Sequence, residues 1–377
     1  MSHAPTDLLN RRHRAIRQAL AARQIDALLV TSLPNILYLT NFKGSSAAVL
    51  LTAERLLFVT DFRYVAAVDA THGTAWDCPN LDLVRVDQSY DETLATVLTS
   101  MPGSRIGFEA AHLTVSRHEW LQRRLADVGG HPSLVATEGI VEAARVRKDA
   151  YEISTLREAA RRLSAVAVGV FQEVRRGRSE RDVATAIDWR IREGGFERSA
   201  FDTIVAAGPN AALPHARPGE RIFAEGDLVV LDFGGVYDSY CVDLTRTVAI
   251  GRASERAREV HAAVREAHDR AIAATKPGVS PFAIDAAARG LLEARGLGEA
   301  FGHGTGHGLG IEVHEDPRIS RRRSTDGDAG VEAGMVFTIE PGAYLPGLGG
   351  VRIEYDVLVT DEGVEVLTDV ASDLIEI

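Results

Sequence analysis

The chain has 377 residues, of which 45% are hydrophobic and 25% charged, and its formal net charge is −11. These values are typical of a soluble globular protein with two domains, and the acidic balance argues against nucleic acid as a partner. The sequence has no apolar run of membrane-helix length, no signal-peptide core and no cysteine framework, since its two cysteines lie far apart. We therefore expect a cytoplasmic protein that binds neither membrane nor nucleic acid.

The first 140 residues alternate between helical and strand patterns. Apolar residues recur at helical spacing over residues 7–23, and Asp61 is a candidate N-cap for a following helix. Short β-rich runs predict strands at 27–30, 36–39, 47–51, 56–59, 83–86 and 105–108, and helices are predicted at 93–98 and 116–125. This alternation predicts an α/β domain over residues 1–140 with its own sheet.

Residues 141–377 form a second predicted domain, in which two helices followed by strands occur twice. The predicted helices cover 150–175, 179–192, 256–275 and 281–295, and the predicted strands cover 201–205, 228–233, 241–248, 335–340 and 351–359. Gly234-Gly235 is predicted to begin the turn of a hairpin between the second and third of these strands. The repeated order of elements predicts internal pseudo-symmetry.

Four acidic residues, Asp232, Asp243, Glu340 and Glu354, stand in apolar, strand-like surroundings. A buried, unpaired carboxylate is costly, and a bound cation removes that cost. The two aspartates fall on the two arms of the predicted hairpin, where neighbouring side chains lie about 5 Å apart. Either aspartate alone could be an ordinary strand-end carboxylate, and Glu354 could instead pair with Arg352 on the same face of its strand.

The segment 301–314 contains three histidines among five glycines. Histidine is the commonest metal ligand and the usual proton carrier near neutral pH. His307 has glycine on both sides and is the predicted neutral ligand, with His303 and His314 close by. Four carboxylates and one imidazole suit two divalent ions such as Mn²⁺ or Co²⁺, with Zn²⁺ as an alternative, and two such ions can activate water and polarise a carbonyl together.

Six segments of the second half resemble one known family. They are Asp232-Phe-Gly-Gly, Asp243-Leu-Thr-Arg-Thr, Gly302-His-Gly-Thr-Gly-His-Gly-Leu-Gly, His314-Glu-Asp-Pro, Ile339-Glu-Pro-Gly and Gly350-Val-Arg-Ile-Glu354. Together they are similar to the pita-bread metallopeptidases, in the aminopeptidase P and prolidase branch. The resemblance implies an α/β and α+β protein, with an N-terminal creatinase-like α/β domain (1–140) followed by a C-terminal pita-bread domain (141–377) with internal pseudo-symmetry.

The resemblance also implies roles for individual residues. It assigns two divalent metal ions, manganese before cobalt or zinc, to Asp232, Asp243, His307, Glu340 and Glu354. It places His215, His303, His314 and Arg352 in the substrate site. From the chemistry of metal-assisted hydrolysis we expect catalytic roles for His303, His314 and Glu340. Relatives are commonly homodimers.

The implied activity is hydrolysis of the Xaa-Pro bond of a peptide with proline in second position. From the sequence we prefer an Xaa-Pro aminopeptidase. An Xaa-Pro dipeptidase (prolidase) is the alternative, and it needs a basic group to recognise the carboxylate of a dipeptide, for which Arg217 and the first domain are candidates. Remoter alternatives are a methionine aminopeptidase, a metal-free amidinohydrolase and a non-hydrolytic creatinase-fold binding protein.

Overall fold

The computed structural model describes residues 3–126, 131–322, 327 and 329–377. The chain divides into two compact units, Met1–Arg145 and Val146–Ile377. Within the described residues, no helix is both long enough and apolar enough to cross a membrane.

The N-terminal unit is a mixed six-stranded sheet with helices. Its helices are α1 (Thr6–Ala22), α2 (Leu33–Thr40), α3 (Phe62–Asp69), α4 (Tyr90–Thr99), α5 (Val115–Ala126) and α6 (Ile140–Arg145). Its strands are β1 (Ala27–Val30), β2 (Ala48–Thr52), β3 (Leu56–Thr60), β4 (Leu81–Arg85), β5 (Arg105–Glu109) and β6 (Ser133–Thr137). The strand order is β4-β3-β2-β1-β5-β6, antiparallel across β1, β2 and β3 and parallel at the other pairs.

The prediction of a strand at residues 36–39 is wrong, because these residues belong to helix α2. A proline in the first turn lacks only an N–H that the helix would leave unpaired. Asn41 ends the helix in the left-handed conformation (φ 64°), and its N–H donates to the carbonyl oxygen of Leu37 at 2.9 Å. Four apolar residues in a row do not distinguish a buried strand from a buried helix, so periodicity alone was insufficient here.

The C-terminal unit repeats the order of two helices followed by strands. Its helices are α7 (Ala150–Glu173), α8 (Glu180–Glu193), α9 (Glu255–Ala274) and α10 (Pro281–Ala294), with a short 3-10 helix at Gly208–Ala212. Its strands are β7 (Arg198–Ser199), β8 (Ile204–Ala207), β9 (Leu228–Tyr237), β10 (Tyr240–Ala249), β11 (Gly306–Gly308), β12 (Glu315–Ile319), β13 (Val336–Ile339), β14 (Gly342–Leu345), β15 (Gly349–Arg352), β16 (Tyr355–Val359), β17 (Val364–Val366) and β18 (Ile375–Glu376).

These strands form two five-stranded sheets and one ribbon. The first sheet has the order β18-β10-β9-β7, with β8 also paired to β9, and the second has the order β12-β11-β13-β16-β17. Strands β14 and β15 pair with each other. Helices α7 and α8 share one buried apolar cluster with β9 and β10, while α9 and α10 share another with β13, β15 and β16. Each half of the repeat therefore buries its own helix pair against strands.

The predicted hairpin exists, but the position of its turn was wrong. Gly234-Gly235 lies inside β9, and the chain reverses at Asp238-Ser239, both of which have positive φ (47° and 73°). Gly234 is opposite Asp243, and a Cβ there would lie 2.4 Å from the carbonyl oxygen of Val242. Glycine is needed at this position for close packing and not for a turn.

The single strand predicted over residues 351–359 is also wrong. Strand β15 ends at Arg352, β16 begins at Tyr355, and the two strands belong to different sheets. Glu354 lies in the break between them. Glu340 directly follows the last residue of β13, as the proline after it predicts.

Candidate metal centre

Asp232 and Asp243 lie on adjacent strands and face the same side of the sheet. Asp243 is opposite Gly234, and Thr245 is opposite Asp232. Because residues two apart on a strand share a face, the two carboxylates are diagonal neighbours. Both side chains are buried, and Oδ1 of each has no hydrogen-bond partner among the described residues.

The other three predicted ligands converge on the same place. Ligand atoms of Asp243, His307 and Glu354 all lie within 4.8 Å of one another, and Oε1 of Glu340 is 3.4 Å from Nε2 of His307. One cavity of about 410 Å³ is lined by all the predicted site residues: Asp232, Asp243, His307, Glu340, Glu354, His215, His303, His314 and Arg352.

His307 is held on β11 by close backbone contacts on both sides. A Cβ at Gly306 would lie 1.8 Å from the carbonyl oxygen of Thr338, and one at Gly308 would lie 2.2 Å from that of Asp316. Only glycine allows this approach. Nδ1 of His307 donates to the Gly308 carbonyl oxygen at 3.0 Å, so Nε2 is left as an acceptor that faces the carboxylates. Burial lowers the pKa of His307, which favours the neutral ring that a metal requires.

Burial and mutual repulsion raise the pKa values of three of these carboxylates, Asp243, Glu340 and Glu354. Burial raises the pKa of Asp243 well above its usual range, and the charges of Glu354 and Asp232 add to the shift. Burial likewise raises the pKa of Glu354, with further contributions from Glu340 and Asp232, and burial raises the pKa of Glu340. These three carboxylates need either protons or cations in the folded chain.

A divalent metal fits this donor set. Four carboxylates and a neutral imidazole supply hard oxygen ligands and one nitrogen, which suits Mn²⁺, Co²⁺ or Zn²⁺ and not a soft thiolate-binding ion. Oδ1 of Asp232 and Oδ1 of Asp243 are buried acceptors without a donor in the described part of the chain, so a cation would satisfy both.

Arg352 connects one of these carboxylates to the wall of the cavity. Its buried guanidinium donates to Oδ2 of Asp232, to the hydroxyl oxygen of Tyr344 at 2.8 Å and to the carbonyl oxygen of Pro214 at 3.3 Å. Nε2 of His303 is 2.9 Å from the same hydroxyl oxygen of Tyr344. Arg352 and His303 are thus linked through one tyrosine.

The alternative pairing of Glu354 with Arg352 is wrong. The carboxylate that accepts from Arg352 is that of Asp232, while Oε2 of Glu354 accepts a hydrogen bond from Oγ1 of Thr245 at 2.5 Å. The break between β15 and β16 explains the difference, because the two residues are not on one continuous strand.

His314 is placed by a buried ion pair. Its ring centroid lies 4.4 Å from that of His307, and the ring lines the cavity. The next residue, Glu315, accepts from Nζ of Lys148 at 3.1 Å through Oε2 and from the backbone N–H of Glu312 at 2.9 Å through Oε1. Both partners of this ion pair are buried, so the backbone on each side of His314 is fixed.

Comparisons with known proteins identify the family. Residues 154–361 match the family model described as Metallopeptidase family M24, and residues 12–147 match that of the Creatinase/Prolidase N-terminal domain. The chain belongs to metallopeptidase family M24. Membership confirms the predicted resemblance, the creatinase-like domain followed by a pita-bread domain, and a peptidase that uses divalent metal.

Named relatives of this M24 chain extend over nearly its whole length. It is 32% identical over 372 residues to the Xaa-Pro dipeptidase of Pyrococcus horikoshii, which covers 98% of this chain and 100% of that protein. A solved Xaa-Pro dipeptidase from Bacillus anthracis aligns with a TM-score of 0.91 at 35% identity, over 98% of this chain and 100% of that one. A solved X-Pro aminopeptidase from Thermotoga maritima aligns with a TM-score of 0.83 at 33% identity, over 97% and 99% of the two chains.

The sequence-based reasoning missed several polar residues of this M24 site. Oδ2 of Asp356 accepts from the backbone N–H of Asp243 at 2.9 Å, and the guanidinium of Arg246 donates to the carbonyl oxygens of Thr245 and Glu354 at 2.8 and 2.7 Å. Thr245 and Arg246 stand in a segment that carries the resemblance, so a signal for both was present. Asp356 and Tyr344 had no such signal, since their roles depend on how the sheets meet.

Proposed function

We propose that this M24 peptidase is an Xaa-Pro dipeptidase (prolidase) with a two-ion centre held by Asp232, Asp243, His307, Glu340 and Glu354. Mn²⁺ is the first candidate, with Co²⁺ and Zn²⁺ as alternatives. The observation that carries the proposal is the convergence of this donor set on one cavity, where buried oxygens of Asp232 and Asp243 have no donor among the residues that the structure describes. The dipeptidase alternative is now better supported than the aminopeptidase we preferred from the sequence, because relatives named dipeptidases match almost the full chain.

When bound, the metal ions supply Lewis-acid polarisation of the carbonyl and lower the pKa of water. Glu340 lines the cavity beside His307, so its carboxylate can take the proton of the attacking water and return it to the proline nitrogen as the peptide bond breaks. His314 lines the cavity with a pKa lowered by burial, and it is placed to contact the carbonyl oxygen of the scissile bond. His303, held by Tyr344, contacts the proline side of the substrate.

The position of the substrate's C-terminal carboxylate distinguishes a dipeptide from a longer peptide. A dipeptide carries its carboxylate on the proline itself, so its recognition requires a cation inside the cavity. Of the described arginines, two line the cavity, and Arg352 is already engaged with Asp232, Tyr344 and Pro214. Arg217 is exposed in the same cavity and offers the cation for the dipeptide carboxylate.

A comparison of Gly-Pro with Gly-Pro-Ala tests the proposed specificity. With Mn²⁺ added, we expect kcat/KM for Gly-Pro to be about 10- to 100-fold higher than kcat/KM for Gly-Pro-Ala. A factor of this size is the effect of one charge-assisted hydrogen bond, here the bond between Arg217 and the dipeptide carboxylate. Gly-Ala serves as the control for proline selectivity and should be cleaved more slowly than Gly-Pro. Faster release of glycine from Gly-Pro-Ala would return the chain to the aminopeptidase class. The homodimer implied by the resemblance stays a prediction.

A further inference from the structure

Glu180 is a fully buried carboxylate at the first position of α8, and it lies outside the metal centre. Its Oε1 accepts from the backbone N–H of Ala207 at 2.8 Å and from the side-chain amide of Asn210 at 3.0 Å. Its Oε2 accepts from the backbone N–H of Gly219 at 3.0 Å and from the same amide of Asn210 at 3.2 Å. One carboxylate therefore joins Ala207 to Gly219 across the segment between them.

This segment, residues 207–219, forms one wall of the cavity and is called the wall loop below. Five consecutive residues of it line the cavity: Pro214, His215, Ala216, Arg217 and Pro218. The middle of the wall loop is bound at the Pro214 carbonyl oxygen by Arg352. Glu180 therefore fixes the two ends of a loop whose centre is fixed to the metal-side network.

Capping of α8 does not require Glu180. Oγ of Ser179 accepts from the N–H of Asp182 at 3.1 Å, and Oδ2 of Asp182 accepts from the N–H of Ser179 at 3.1 Å, which together form a capping box. Within the described residues, the hydrogen bonds that the Glu180 carboxylate accepts all come from the wall loop. Two acids in the first turn of α8 therefore have separate roles: Asp182 caps the helix, and Glu180 binds the wall loop.

We propose that Glu180 is a specificity-positioning residue that sets the wall loop, and with it His215 and Arg217, at the proline end of the substrate. This proposal rests on the proposed function for the identity of the substrate. It assigns Glu180 an effect on substrate binding and no part in holding metal or moving protons.

Glu180→Gln tests the proposal with a minimal change of shape. A glutamine has one acceptor oxygen and one NH₂ group, so in either orientation an NH₂ group faces the backbone N–H of Ala207 or of Gly219. One end of the wall loop then loses its acceptor. We expect KM for Gly-Pro to rise about tenfold relative to wild type, while kcat stays within about threefold and metal content is unchanged. The reason is that the lost contact contributes equally to binding of the ground state and of the transition state.

Asp182→Asn is the matched control, since it removes one carboxylate from the same helix end without touching the wall loop. It should leave KM within about twofold, and hydrogen exchange of residues 208–218 should accelerate in Glu180→Gln only. An equal KM in Glu180→Gln and wild type, an equal rise in both variants, or a fall in kcat with loss of metal would overturn the assignment. If Glu180→Gln does not fold, Asn210→Ala replaces it as the test, because this change removes two of the four hydrogen bonds to Glu180. Asn210→Ala should give a smaller rise in KM, and an unchanged KM in this variant would also overturn the assignment. If the wild type does not hydrolyse Gly-Pro, the proposed function fails, and the hydrogen-exchange comparison alone decides the role of Glu180.

Discussion

Asp243→Asn is expected to lower kcat/KM for Gly-Pro by a factor on the order of a thousand or more, and to lower the content of bound divalent metal. Metal stabilisation of developing charge is worth several kcal/mol, and each 1.36 kcal/mol is a factor of ten in rate. Asparagine has nearly the same shape as aspartate, and the backbone N–H of Asp243 that donates to Asp356 remains. The loss would therefore report on the carboxylate charge and not on a rearranged strand.

The same substitution should make the metal-free protein more stable. The carboxylate of Asp243 is buried near those of Asp232, Glu340 and Glu354, so its removal relieves repulsion when no cation is present. Chelated Asp243→Asn should melt above chelated wild type at pH 8. Asp238→Asn is the matched control, since it removes a buried carboxylate from the turn of the same hairpin outside the cavity and should retain activity. An Asp243→Asn enzyme with full activity and metal content would remove Asp243 from the metal centre.

Removal of metal is the second change with a large expected effect, and the effect depends on pH. Burial raises the pKa values of Asp243, Glu354, Glu340 and Asp356 in the folded chain above those of the unfolded chain. A group with a raised folded pKa contributes stability that is fully present below its unfolded pKa and is lost as pH rises through its folded pKa. The chelated protein should therefore lose stability as pH rises above about 4, the unfolded value for these groups.

Bound cations replace the missing protons on Asp243, Glu340 and Glu354, so the metal-loaded protein should show a smaller loss. Above both pKa values, each unit of pKa difference costs the chelated protein about 1.4 kcal/mol. The measurement is the difference in Tm between Mn²⁺-loaded and chelated protein from pH 5 to pH 8, which should widen with pH. In Asp243→Asn the widening should be smaller. A Tm difference that stays constant or narrows with rising pH would contradict this account. It would mean that the metal-free folded protein does not hold protons on these carboxylates above their unfolded pKa values.

The donor types of the site were predictable because an acid in an apolar strand conflicts with its surroundings. Asp232 and Asp243 each stand inside an apolar strand and Glu340 directly follows one, and that conflict is visible without a structure. The two glycines that flank His307 also indicated a site of close backbone approach, since Gly306 and Gly308 each face a backbone carbonyl that a Cβ would contact too closely.

The connections between distant segments were not predictable in the same way. The partner of Arg352 depends on where β15 ends and on how the ribbon meets β9, and a sequence reports neither. Glu180 lies at a helix start, where an acid is ordinary, so its contacts with the wall loop left no pattern to detect. Glycine pairs mark both turns and close packing, which is why Gly234-Gly235 was misplaced in the hairpin.

The most direct measurement is a crystal structure of the Mn²⁺-loaded protein with anomalous diffraction at the manganese edge. The proposed centre predicts two anomalous peaks about 4 Å or less apart, among the side chains of Asp232, Asp243, His307, Glu340 and Glu354. A single peak, or peaks at other side chains with these five carrying no metal, would contradict the two-ion centre on which the proposed hydrolysis depends.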